Sequence, residues 1–142
     1  MLPIQKLYAS NERVFKINFE GITHEESLRE MHNCNSANWL LGHLVLYRNT
    51  VLSQVGLPAI ADEKMKEIYG RGVVKPDMTK AIPLDTLKKM YEESQPGIMQ
   101  SIEKVKDEAA LEQLTSLGFH EAYHLGQVGL LRKMLGKEGA IK

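Results

Sequence analysis

Apolar residues recur at helical spacing along four long stretches of this chain. The four predicted helices run from about Pro3 to Phe19, from Ser36 to Val55, from Pro83 to Val105 and from Glu108 to Leu135. No stretch shows the strict alternation of apolar and polar residues that is typical of a half-buried strand. The pattern therefore predicts an all-α protein.

Polar and small residues mark where the predicted helices start and stop. Ser36 is a suitable N-cap for the second helix, and Gly136 is a suitable C-cap for the fourth. The segment Thr23-His24-Glu25-Glu26 is a further start signal, with acidic residues in a first turn. The pair Pro96-Gly97 falls inside the third helix, where apolar residues keep helical phase on both sides. We therefore expect it to kink that helix rather than end it.

The connection between the second and third predicted helices is unusually long. It spans roughly 25 residues, from Leu57 to Ile82, and contains a short helical pattern from Asp62 to Tyr69. Connections of this length in compact bundles are more often functional or mobile than incidental. This one is long enough to cross a bundle, so that helices two and three can run parallel. The sequence thus predicts a single domain, residues 1–142, built as a four-helix bundle with one long crossover.

Composition narrows the class of protein. The chain has 142 residues, a length expected for one domain, and its 18 Lys and Arg residues balance its 18 Asp and Glu residues. That balance gives no basic surface for nucleic acid or for an anionic membrane, so neither is an expected partner. A lone cysteine, Cys34, excludes an internal disulfide. Without a signal peptide or an apolar run of about 18 residues, the chain is expected to be a soluble cytoplasmic protein.

Two histidines four residues apart are the most informative feature for function. His120 and His124 lie in the apolar fourth helix, where positions i and i+4 share one face with Cβ atoms about 5–6 Å apart. His43 lies in the apolar second helix, so a site of three histidines is geometrically possible. Neutral imidazoles suit Zn²⁺, Ni²⁺, Fe²⁺ or Cu²⁺, and three of them leave coordination positions open. The alternative is that all three are hydrogen-bonded core residues.

Three segments of the chain carry a family resemblance. They are Asn38-Trp39-Leu40-Leu41-Gly42-His43-Leu44, then His120-Glu121-Ala122-Tyr123-His124-Leu125-Gly126-Gln127 followed by Leu130-Leu131-Arg132, and the closing Leu135-Gly136-Lys137-Glu138-Gly139-Ala140. On these residues the chain resembles the DinB-like superfamily of metal-binding four-helix bundles, also called the DinB/YfiT-like fold. The resemblance implies that His43, His120 and His124 bind one divalent ion, zinc or nickel among relatives. It also implies an up-down-down-up bundle that is frequently a homodimer.

The resemblance further implies a type of activity. Some members resemble thiol transferases or isomerases that use low-molecular-weight thiols such as bacillithiol, mycothiol or glutathione. The leading hypothesis is therefore a divalent-metal-dependent enzyme with a small-molecule substrate, of thiol S-transferase or hydrolase type. An open metal can lower the pKa of bound water to about 7 or deprotonate a thiol, which suits either reaction. The alternatives are a non-catalytic metal-binding or small-molecule-binding stress protein and a purely structural or dimerisation bundle.

Few residues can be predicted to act beside the histidines. Tyr69 and Arg71 flank Gly70 in the crossover and are predicted to bind substrate over the bundle end, where Arg71 would suit a carboxylate. The alternative is a surface turn flanked by glycines. Asn11 and Arg48 are polar positions in amphipathic helices, and Arg48 can simply face water. No catalytic acid or base is identified.

The segment from His120 to His124 also satisfies the H-E-x-x-H pattern of zinc peptidases, in which the glutamate is the general base. The extended form of that pattern places a third histidine six residues further on, where this chain has Leu130. A metallopeptidase is therefore the least favoured hypothesis. Glu121 is instead expected on the polar face of the helix or in contact with a metal ligand.

Overall fold

Six α-helices and two 3₁₀ turns make up the secondary structure of residues 1–139, the part of the chain that the computed structural model describes, and no strand occurs there. In chain order the helices are α1 (Pro3–Phe19), α2 (His24–Ser27), α3 (Ala37–Gln54), α4 (Lys66–Tyr69), α5 (Leu84–Ile102) and α6 (Glu108–Met134). The 3₁₀ turns are Glu63–Met65 and Met78–Lys80. The predicted all-α class is confirmed. Ala140, which closes the last segment of the family resemblance, lies outside the described residues.

Side-chain caps fix the starts of several helices. Ser36 Oγ accepts a hydrogen bond from a backbone N–H in the first turn of α3 at 3.1 Å, as predicted for its N-cap. Thr23 and Glu26 form a capping box at the start of α2. The first N–H of α5, at Leu84, donates to His24 Nδ1 over 3.1 Å. His24, the first residue of α2, thus provides a hydrogen-bond acceptor for the start of a helix far along the chain.

Pro96 lies within α5, and Gly136 lies just beyond the end of α6. Pro96 lies inside α5, and the helix continues beyond it to Ile102, so the prediction that Pro96 does not end the helix is confirmed. The helix stops short of the predicted Val105. Gly136 follows α6 with φ of +79°, the left-handed conformation that glycine adopts at helix ends without a steric penalty.

The four long helices pack around a common core. α1 packs against α5 and α6, and α3 packs against the same two helices. Each long helix contributes side chains with almost no exposed surface, among them Phe15, Leu44, Leu87 and Leu125. Burial of one such side chain stabilises the fold by about 1.5–3 kcal/mol. None of the described helices combines the length and the hydropathy that a membrane-spanning segment needs.

Three buried side chains of α1 donate hydrogen bonds to backbone carbonyl groups of α6. The pairs are Tyr8 Oη with Leu114 O at 2.8 Å, Asn11 Nδ2 with Gly118 O at 2.9 Å and Asn18 Nδ2 with Leu125 O at 2.8 Å. Because a buried donor without an acceptor is costly, these bonds restrict how α1 can lie on α6. Asn11, a polar position in the sequence pattern, therefore belongs to a helix interface.

Tyr69 attaches the long crossover to α3. Its side chain is fully buried, and its hydroxyl donates to Asn38 Oδ1 at 2.9 Å and accepts from Ile82 N–H at 2.9 Å. A Cβ added at Gly42 would lie 2.2 Å from the Tyr69 ring, so the ring packs in space that only glycine leaves open. The short helix predicted from Asp62 to Tyr69 is present as a 3₁₀ turn followed by α4.

Removing the Tyr69 hydroxyl tests this attachment. In Tyr69→Phe the buried Asn38 side chain and the Ile82 amide each lose a partner, so we expect the free energy of unfolding in urea to fall by about 1–3 kcal/mol. Tyr123→Phe is the matched control, because Tyr123 is 57% exposed. The same chemical change there should alter the free energy of unfolding by less than about 0.5 kcal/mol. Equal effects at the two positions would contradict the attachment.

Candidate metal centre

The three predicted histidines lie together. One ring nitrogen each from His43, His120 and His124 lies within 4.8 Å of the other two. α3 supplies the first histidine, and α6 supplies the other two on successive turns. The ring centroids of the α6 pair are 4.5 Å apart, and that of His43 lies 5.0 Å from His124 and 5.3 Å from His120. Three imidazoles at these separations can hold one metal ion.

A backbone carbonyl fixes the orientation of His43. Nδ1 of His43 lies 2.8 Å from Tyr69 O, and a carbonyl oxygen can only accept, so Nδ1 carries the proton. Nε2 therefore keeps its lone pair, which is what a metal ligand requires. The Trp39 ring stacks on His43, with centroids 4.6 Å apart and planes inclined by 17°. Hydrogen bond and stacking together hold the imidazole from two sides.

The two α6 histidines face each other through Nε2. His124 Nδ1 lies 2.6 Å from Gln127 Oε1, and His124 Nε2 lies 3.0 Å from His120 Nε2. With the His124 proton on Nδ1, its Nε2 presents a lone pair to its neighbour, which calls for a proton or a cation between the rings. Two nitrogens bound at about 2.0–2.1 Å to one tetrahedral ion would lie roughly 3.3 Å apart. The observed spacing is close to that value.

Burial keeps the three imidazoles neutral. Loss of hydration lowers the pKa of each of the three histidines below its ordinary value, and it is the largest effect at each. The pKa of His120 falls to about 4, with further lowering by His124 and His43. The Arg71 cation also lowers the pKa of His43 and of His120. Because neutral imidazole is the form that binds metal, the site suits a cation at neutral pH.

A cavity of about 640 Å³ lies beside the histidines, between α3 and the crossover. Tyr47 and Arg71 both line it, and the Tyr47 ring centroid lies 4.4 Å from that of His120. Glu63 and Lys66 line it as well, and they form an exposed ion pair with each other. Arg71 has no ion-pair partner among residues 1–139. The cavity is therefore large enough for a small molecule and offers it one unpaired cation.

Tyr69 and Arg71 are placed differently from one another. Tyr69 lies at the site, but it contributes its backbone carbonyl to His43, while its ring and hydroxyl face the core. Arg71 is exposed and lines the cavity. Of the two residues predicted to bind substrate, Arg71 alone is positioned to meet a molecule in that cavity.

Arg48 and Glu121 are buried, which corrects the sequence-based interpretation of both. Arg48 has no exposed surface and Glu121 only 3%. The sequence allowed Arg48 to face water, and Glu121 was expected on the polar face of its helix or in contact with a metal ligand. Glu121 Oε2 accepts from Arg48 Nε at 3.1 Å, and Glu121 Oε1 accepts from Arg48 Nη2 at 2.9 Å. A lone charge would not tolerate this burial, but a fully hydrogen-bonded pair does. The carboxylate of Glu121 therefore hydrogen-bonds to Arg48 and Tyr91 rather than to a histidine of the site.

Two contacts of the site escaped sequence reasoning. Gln127 follows His124 by three residues on α6, a spacing that places the two side chains on one face and gives a usable signal. The carbonyl of Tyr69 gives none, because every residue has a backbone carbonyl and only the tertiary structure brings this one to His43.

Comparisons of the chain with models of known protein families, with characterised proteins and with solved structures find no match. The DinB-like resemblance therefore rests on the segments around His43 and around His120 and His124, and it stays a prediction. What the protein does has to be inferred from the geometry of the site.

The metal-free protein should lose stability as the pH falls from about 6.5 to about 4. An unfolded chain takes up histidine protons near pH 6.5, whereas folded His120 has a pKa of about 4. In that window the unfolded state binds more protons, so the free energy of unfolding falls as the pH is lowered. Urea denaturation of chelator-treated protein at about pH 7, 5.5 and 4.5 measures the effect.

The matched variants for this pH series are His120→Asn and His32→Asn. Replacing His120 should weaken the pH dependence, because one of the three lowered histidine pKa values is removed while those of His43 and His124 remain. His32 has an exposed ring, and its replacement should preserve the wild-type dependence. A pH dependence that is identical in His120→Asn and wild type would contradict the burial of a neutral imidazole at this position.

Proposed function

We propose that this protein binds one divalent transition metal ion, zinc or nickel, through His43, His120 and His124. The observation that carries the proposal is the convergence of three neutral imidazoles whose ligand atoms lie within 4.8 Å of one another. Two of these rings have Nδ1 held by an oxygen acceptor, the arrangement that orients metal-binding histidines. A donor set made only of nitrogen suits zinc or nickel and does not suit calcium or magnesium.

The proposed family is the DinB-like superfamily, with its up-down-down-up four-helix bundle. Three features support this assignment: the order and length of the four long helices, the crossover between α3 and α5, and the origin of the candidate ligands on α3 and α6. The packing of α1 and α3 against both α5 and α6 is also consistent with a four-helix bundle.

The proposed activity is that of a metal-dependent enzyme of thiol S-transferase or hydrolase type. A bound ion would supply Lewis-acid chemistry, lowering the pKa of water or of a thiol. The chain's own residues orient the candidate ligands and bind the substrate. Tyr69 O and Gln127 Oε1 keep the imidazole lone pairs oriented, Tyr47 forms the wall between the histidines and the cavity, and Arg71 offers a cation to a substrate carboxylate.

A binding protein without turnover is the second candidate function, and one observation favours it. The acidic residue adjacent to the candidate ligands, Glu121, has both carboxylate oxygens engaged by Arg48, and Oε1 also accepts from Tyr91. A general base is therefore not apparent next to the histidines. The same observation removes the support for an H-E-x-x-H peptidase, since the glutamate of that motif must face the metal site.

A homodimer is the proposed oligomeric state. Four large apolar side chains of α6 are exposed, namely Phe119 (69%), Tyr123 (57%), Leu130 (54%) and Met134 (38%). They lie on the surface of the same helix that supplies two candidate ligands, and a second copy of the chain would cover them. Sedimentation of wild type beside Leu130→Lys measures whether these side chains hold two copies together.

Metal content tests the proposed site. Protein purified without chelator should carry about one equivalent of zinc or nickel, and His43→Ala and His124→Ala should each lose it while remaining folded. His32→Ala, a change at an exposed ring, should retain the ion. Elemental analysis gives the metal content, and circular dichroism shows that each variant is folded. A folded wild type that contains no metal and takes up none from zinc or nickel solutions would contradict the proposal.

Turnover separates the enzyme from the binding protein. Glutathione and 1-chloro-2,4-dinitrobenzene react by forming a C–S bond as chloride leaves, and the thiol proton passes to solvent. We expect catalysis of this or a related thiol transfer that is lost in His120→Ala. Arg71→Gln should raise KM about tenfold for glutathione, the equivalent of one charged hydrogen bond, and should not change it for 2-mercaptoethanol, which has no carboxylate. Binding of the thiols without turnover would instead support the second candidate.

A further inference from the structure

All five N–H groups of the buried Arg48 guanidinium donate hydrogen bonds. Nε and Nη2 bond the two carboxylate oxygens of Glu121 at 3.1 and 2.9 Å. The remaining donors bond Tyr91 O at 3.0 Å, Ser94 Oγ at 2.7 Å and Gln95 Oε1 at 2.9 Å. Tyr91 Oη donates to Glu121 Oε1 at 2.6 Å, and the Tyr91 ring lies 3.5 Å from the guanidinium carbon. This network leaves no Arg48 donor unpaired.

The network joins all four long helices at the level of the metal centre. Arg48 comes from α3, Glu121 from α6, and three of the partners from α5. Gln95 extends the network to α1, because its Nε2 donates to Tyr8 O at 3.1 Å. Glu121 directly follows His120 along α6, so the ion pair and the candidate ligands lie on adjacent positions of one helix turn.

A metal site needs more precision than apolar packing supplies. Ligand distances have to hold to within about 0.2 Å, whereas sliding a helix by one residue displaces its side chains by about 1.5 Å. Apolar contacts are not directional and do not by themselves select one such position. Within residues 1–139, the hydrogen bonds that run between α3 and α6 are the two from Arg48 to Glu121. A bidentate pair of this kind is geometrically specific.

We infer that Arg48 and Glu121 are positioning residues: their bidentate ion pair sets α3 against α6 so that His43 meets His120 and His124. The inference rests on the metal site proposed above and adds two residues whose side chains hydrogen-bond to each other and not to the three histidines. Stability alone does not explain the pair, because well-packed apolar residues often replace a buried ion pair without loss of stability. The pair fixes the position of α3 relative to α6.

Two variants separate positioning from stability. Arg48→Lys keeps the charge but loses the planar fork, and Arg48→Met with Glu121→Leu removes both charges together. Ile98→Ala is the control, since Ile98 is fully buried in α5 and its truncation lowers stability without touching the ion pair. For each protein, urea denaturation gives the stability, and competition titration with Co²⁺ and Zn²⁺ gives the Kd. Ring-to-ring nuclear Overhauser effects between His43 and His124 report their proximity without metal.

We expect Arg48→Lys and the double variant to bind Co²⁺ and Zn²⁺ about 10–100-fold more weakly than wild type and to lose the His43–His124 proximity signal. Ile98→Ala should keep the wild-type Kd and the His43–His124 proximity signal, even though its free energy of unfolding is lower. If the double variant does not fold, Arg48→Lys alone tests the inference. The inference is overturned if either folded variant keeps the wild-type Kd and proximity signal, or if Ile98→Ala weakens metal binding as much as they do.

The same experiment distinguishes this inference from the metal proposal. A wild type that shows the His43–His124 proximity signal but binds neither metal would overturn the proposed function. The loss of that signal in Arg48→Lys would still support the positioning role. A wild type that binds metal beside variants that bind it equally well would overturn the positioning role alone.

Discussion

Burial of the Arg48 charge constrains this structure more than any other single interaction. A guanidinium cannot shed its proton, so a fold that buries it must replace all of its hydrogen bonds to water. Glu121 on α6 and the Tyr91 region of α5 supply those bonds, and they do so only when α3, α5 and α6 lie in one relation to each other. Removing one partner would leave a buried charge uncompensated, at a cost of about 3–5 kcal/mol.

The three-histidine cluster has the opposite electrostatic character. Its three imidazoles are neutral because burial lowers the pKa of each, so the group needs few hydrogen bonds and keeps its lone pairs available. Tyr69 O accepts a hydrogen bond from Nδ1 of His43, and Gln127 Oε1 accepts one from Nδ1 of His124, so Nε2 of each ring is left for a cation. On α6, the Glu121 carboxylate thus has hydrogen-bond donors for both of its oxygens, whereas the imidazoles of His120 and His124 keep lone pairs for a cation.

The fold was predictable where the signals are local. Caps such as Ser36 and the spacing of apolar residues depend on neighbours within one or two turns, and the pairing of His120 with His124 depends on a single helix. His43 could be proposed as a third ligand from its place in a second apolar helix, but its distance from His120 and His124 depends on the packing of two helices. Arg48 and Glu121 were misjudged because charged residues are almost always exposed, and nothing local shows that a partner 73 residues away will bury them. No residue pattern in the sequence predicts the hydrogen bond from His43 to a backbone carbonyl.

In the proposed site, three imidazoles from α3 and α6 hold one ion. X-ray absorption spectroscopy of protein loaded with one equivalent of zinc counts those ligands directly. We expect three imidazole nitrogens at about 2.0–2.1 Å, with oxygen filling the remaining coordination. A coordination shell in wild type with fewer than three imidazoles, or with sulfur from the exposed Cys34, would contradict the claim.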